Sequence, residues 1–137
     1  MFIKQLTRRR EFLMGHLYYG TTPEPVRIPD RLLSHLKVVV ATKLRRSESF
    51  TVSWTHVDGA PGRSTLWLQP AIPLRFVFDS AEPEQLDART LKDMADMANS
   101  SAGLVIALDA EIPASAVAAR TPAPTPAARR AAMRTAA

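Results

Sequence analysis

Between Asp30 and about Ser47, Leu32, Leu33, Leu36, Val39, Val40 and Leu44 recur at helical spacing. Directly afterwards the period drops to two. Phe50, Val52 and Trp54 fall on one face of Phe50–Val57, with hydroxyl side chains on the other. A helix with one apolar stripe that runs straight into a half-buried strand needs a sheet to lie on. This change of period therefore restricts the fold more than any other feature of the chain.

The flanking segments supply that sheet. His16–Tyr19 and Val26–Ile28 are short apolar-rich runs separated by Gly20-Thr21-Thr22-Pro23, which predicts a hairpin. Pro29-Asp30 marks the helix start, with the Asp30 carboxylate placed to cap it. The opposite face of this helix carries Arg31, His35, Thr42, Arg45 and Arg46. After the Phe50 strand, the turn-forming loop Asp58-Gly59-Ala60-Pro61-Gly62 leads into a strand over Arg63–Gln69. Pro70 and Pro73 flank Ile72 and mark a bend or a sheet edge. Leu74, Phe76 and Phe78 then alternate up to Asp79. Glu82 to Asn99 reads as a second helix with Asp87 as a cap, and Gly103 as a helix-stop residue. Leu104–Leu108 is a nearly all-apolar last strand, expected at the centre of its sheet. The order ββαβββαβ predicts an α+β fold: a small, mostly antiparallel sheet with two helices on one face.

Charge divides the 137 residues into three parts. Residues 1–13 carry four basic side chains and one acidic one, and residues 112–137 carry four arginines and no acid. Residues 14–111 hold ten basic and twelve acidic side chains, so the net +5 comes from the ends alone. The expected organisation is a basic N-terminal extension over 1–13, one α+β domain over 14–111 and a disordered Ala/Pro/Arg tail over 112–137. Met14 also reads as a true initiator, with 1–13 an upstream extension of the start. With no cysteine there is no disulfide framework or thiolate zinc site. No apolar run approaches the roughly 20 residues of a membrane helix, so no membrane partner is expected and the expected location is cytoplasmic.

Chemistry-bearing patterns are sparse. His16, His35 and His56 lack metal-ligand spacing, and no phosphate loop, dinucleotide fingerprint or nucleophile elbow is present. His56-Val57-Asp58-Gly59 echoes the K-x-D-G box of nucleotidyltransferases, with histidine at the nucleophile position; an Asp-Gly hairpin turn accounts for it equally. The main surface constellation is Lys43, Arg45 and Arg46 in the last turn of the first helix, with Leu44 pointing to the core. Cations there complement the helix dipole, and they also suit an anion site completed by Arg63. Trp54 shares its face with Phe50 and Val52 and is expected in the core. Trp67 is the candidate for an exposed, base-stacking aromatic. The candidate nucleic-acid or anion-binding residues are thus Lys43, Arg45, Arg46, Arg63 and Trp67, with no catalytic residue and no metal ligand among them.

Several blocks together resemble a family of short actinobacterial proteins, a domain of unknown function often labelled "ATP-dependent DNA ligase". They are Met14–Gly20, Lys43–Phe50, Ser53-Trp54, Gly62–Leu68, Pro70–Leu74 and Asn99–Leu104, and the resemblance covers residues 14–108. Two positions depart from the pattern. Ser47 replaces a glycine often found there, and Gln69 stands where histidine is expected. The label implies ATP as a cofactor; apart from it no cofactor is expected. Three functions follow as expectations. The first is a non-catalytic accessory module touching DNA or RNA through the residues above and the basic tail. The second is a protein-interaction or homo-oligomerisation module using a sheet edge near Pro70–Pro73. The third is the ligase-like activity of the label.

Overall fold

The computed structural model describes residues 13–57, 59–109 and 111–113. The expectations for residues 1–12, 114–137 and Asp58 lie outside the described residues. In chain order the elements are β1 (Met14–Tyr19), β2 (Val26–Pro29), α1 (Asp30–Arg45), β3 (Phe50–Thr55), β4 (Arg63–Leu68), β5 (Leu74–Val77), α2 (Ala88–Ala98) and β6 (Leu104–Ile106). The α+β class, the element order and the mostly antiparallel pairing are those predicted. The strands divide between two three-stranded sheets, β2-β1-β5 and β4-β3-β6. All pairs are antiparallel except β3 with β6, which run parallel.

That pairing overturns one expectation: β6 is an edge strand, and β3 holds the centre of its sheet. Leu104 and Ile106 are buried while Val105 is exposed, so the apolar run of β6 covers one face only. The two helices and the inner faces of both sheets share one core. Leu33, Leu36 and Val40 of α1 belong to one buried cluster with Leu17 and Ile28 of the first sheet and Phe50, Val52, Trp54, Leu68 and Leu104 of the second. Gly103 fixes how α2 returns to β3. Its φ is +78°, and a Cβ there would lie 1.9 Å from Thr51 Oγ1, so only glycine lets the chain pass.

Two polar residues on the buried side of α1 also depart from expectation. Asp30 does not cap α1; it is the first helical residue, after Pro29. Its buried carboxylate accepts the amides of Asp79 (3.0 Å) and Ser80 (2.9 Å), just after β5. His35, expected on the exposed face, is fully buried. Its Nε2 accepts the Asp87 amide at 2.8 Å, so Nδ1 carries the proton and donates to the Arg31 carbonyl at 2.7 Å. Asp30 and His35 together hold both ends of the 79–87 segment. This is why α2 starts at Ala88 and not near Glu82: the backbone ahead of it is already bound to α1. Asp87 is the cap predicted, accepting from the Thr90 amide at 3.1 Å and the Thr90 hydroxyl at 2.6 Å.

Candidate nucleic-acid interface

Charged side chains on the strands are all of one kind. The six strands contain no acidic residue and no lysine, and their only charged residues are Arg27, Arg63 and Arg75. On the second sheet the register places Trp67 beside Thr51, Thr65 beside Ser53 and Arg63 beside Thr55. The parallel partner adds Val105 beside Ser53. Residues directly opposite one another share a face, so these seven side chains form one surface turned away from the core. Trp67 is 55% exposed and Val105 54%, against 8% for Trp54 on the other face. Ser53 Oγ and Thr65 Oγ1 share a hydrogen bond of 2.8 Å across the middle of the surface. The Tyr19 hydroxyl donates to the Trp67 carbonyl, which ties the Trp67 end of β4 to the end of β1.

The expected residues separate into three places. Arg63 and Trp67 lie on this face, both exposed. Arg45 and Arg46, also exposed, stand at the end of α1, which leads through residues 47–49 into Phe50. Trp67 pairs with Thr51 near that end of β3, whereas Arg63 pairs with Thr55 at the other. At about 3.3 Å per residue the two arginine positions are separated by roughly 16 Å of strand. They form no single anion pocket.

Lys43 departs from its expected place beside Arg45 and Arg46 on the surface. It lies at the edge of the apolar stripe, one turn from Val39 and Val40, and is buried. Its stem packs inward while Nζ donates to Glu48 Oε2 at 2.9 Å and to Asn99 Oδ1 at the end of α2. Leu44 is only half-buried. The turn that follows explains the arrangement. The Ser47 amide bonds the Leu44 carbonyl (3.0 Å) and the Glu48 amide bonds the Lys43 carbonyl (3.1 Å), with Ser47 left-handed at φ 57°. This is a Schellman motif. Lys43–Glu48 occupies the two positions that commonly carry its hydrophobic contact. The Lys43 hydrogen bond and charge hold the Glu48 carboxyl below the usual carboxylate range, against a smaller desolvation effect.

His56, where the K-x-D-G box would hold lysine, has Nε2 2.7 Å from Ser64 Oγ and Nδ1 3.2 Å from the Pro61 carbonyl. The Pro70–Pro73 segment is a turn, with the Pro73 carbonyl accepting the Gly20 amide at 2.9 Å. A cavity of about 340 Å³ lies between α1 and residues 78–86, where Lys37 sits over the Phe78 ring. Among the described residues no three His, Cys, Asp or Glu side chains gather as a metal site, and no helix is long and apolar enough to cross a membrane.

Sequence reasoning singled out Arg63 and Trp67 but did not place Thr51, Ser53, Thr65 and Val105 on the same face. Alternation gives the face of each residue within a strand. Which strands lie side by side depends on pairing between distant segments, and the parallel return of β6 carries no local signal. No curated protein and no solved structure matches the chain. The family described as Domain of unknown function (DUF7882) matches residues 14–109, from the start of β1 to just beyond β6, and the chain belongs to it.

Proposed function

We propose that this chain is a non-catalytic accessory module that binds single-stranded nucleic acid along the outer face of β4-β3-β6. The observation that carries the reading is the exposed Trp67 ring on a hydroxyl-rich sheet face whose only charge is Arg63. A flat aromatic accepts a base of any sequence, and arginine forks match phosphate oxygens. Arg45 and Arg46 precede the Phe50 end of β3 and Arg63 stands at its Thr55 end, a separation that suits an extended strand better than a compact ligand. Lys43 supports the site indirectly, by holding the turn that presents Arg46. The acidic residues Glu82, Glu84, Asp93 and Asp96 lie in and before α2, and the strands carry none.

The test is fluorescence anisotropy of the full chain with a labelled single-stranded oligonucleotide at several salt concentrations. Three phosphate contacts predict a log K against log salt slope of at least about −2, to which the arginines of residues 112–137 add. R63Q and W67L should each weaken binding. Undetectable binding at low salt, or binding unchanged in both variants, would refute the proposal. The adenylation chemistry of the ligase label is read out separately, with labelled ATP and Mg²⁺. This reading expects no covalent adenylate.

Trp67 and Val105, both more than half exposed on one face, also favour a second reading in which another copy of the chain covers that face. Light-scattering mass distinguishes it: a dimer that W67L converts to monomer supports self-association.

A further inference from the structure

The outer face of the first sheet carries an arrangement of its own. Residues opposite one another place Arg27, His16 and Val77 in one row across β2-β1-β5, and Tyr18 and Arg75 in the next. The Arg75 guanidinium carbon lies 5.7 Å from the centre of the Tyr18 ring. The His16 and Tyr18 ring centres are 6.5 Å apart and tilted by 37°. Two rings therefore lie side by side along β1, with an exposed arginine on each flanking strand. The alternation that buries Gly15 and Leu17 directs His16 and Tyr18 outward. No strand of this sheet holds an acid to neutralise either arginine.

We infer that this face is a second, separate docking surface for single-stranded nucleic acid, with Tyr18 and His16 as stacking rings and Arg27 and Arg75 as phosphate contacts. Charge and ring chemistry together select this occupant. Two cations flanking aromatic planes suit a polyanion that presents π-faces at the spacing of its backbone. The closed base stack of a duplex offers no free base face to Tyr18. The inference shares its ligand class with the proposal above but not its residues, so the two can fail independently.

The experiment uses the full chain and a photo-crosslinkable, 5-iodouridine-containing single strand, with peptide mapping of the adducts and parallel anisotropy titrations. Adducts are expected on the peptide holding His16 and Tyr18, and they should persist in W67L. In a W67L background, where this face is read alone, Y18L should weaken anisotropy-detected binding by about 5- to 150-fold, the range for losing one stacked base, and Y18F should retain it. R27Q and R75Q should each make the salt slope shallower by about 0.7. Circular dichroism melts confirm that each variant folds. If adducts form on β4 alone, and Y18L, R27Q and R75Q bind like the wild type, this inference falls and the Trp67 site stands. If W67L binds like the wild type while Y18L does not, the reverse holds. If the wild-type chain binds no strand, both fall.

Discussion

Ser47 occupies a left-handed conformation, φ 57°, at the position where a Schellman turn favours glycine. The glycine that the resemblance led one to expect here would suit this backbone conformation. An L-residue in this region carries about 1–2 kcal/mol of strain, partly offset because glycine loses more backbone entropy on folding. Ser47→Gly is therefore expected to stabilise the protein by about 0.5–1 kcal/mol, seen as a higher urea midpoint at unchanged m-value. A lower midpoint would show that Ser47 is not strained. His35 teaches the opposite lesson about reading single residues. A histidine beside an apolar stripe scores as polar and exposed, yet it is the fully buried residue that joins α1 to the amide of Asp87. Its partner lies 52 positions away, so no local pattern reveals the bond.

At the scale of elements, the ends of the helices are where charge contributes to the fold. The Thr90 hydroxyl and amide donate to Asp87 and hold its carboxyl below its ordinary value of 3.8, with desolvation opposing them and the Arg31 charge adding a smaller favourable effect. A lowered carboxyl pKa contributes stability that is fully present above the ordinary value and disappears as pH falls through the lowered one. D87N keeps an acceptor but removes the charge. The melting temperature of D87N should lie below wild type at neutral pH, and the gap should close as pH falls below about 3.8. A gap constant across that range would contradict the cap's charged role. Element boundaries were legible where periodicity governs them, as for α1, β3 and β4. They were not legible for residues 82–87, whose helix-compatible composition is overridden because Asp30 and His35 bind the neighbouring backbone.

For the whole molecule, two sheets and two helices share one core, and among the described residues the only charged side chains on the strands are arginines. The α+β class and the element order could be read from the sequence because they follow from the succession of periods. The division into two sheets could not, since it is set by which distant strands pair. For the same reason Arg63 and Trp67 were identifiable singly, whereas the Arg27–His16–Tyr18–Arg75 arrangement emerges only once β1 lies between β2 and β5. The most direct test of the central claim follows tryptophan emission while the full chain is titrated with a single-stranded oligonucleotide at about 50 and 200 mM salt. Wild type should show a saturable change that weakens at the higher salt, and W67F, which retains the buried Trp54, should show none. Emission that stays constant in the wild type at low salt and saturating strand, or changes equally in W67F, would contradict Trp67 as the stacking platform.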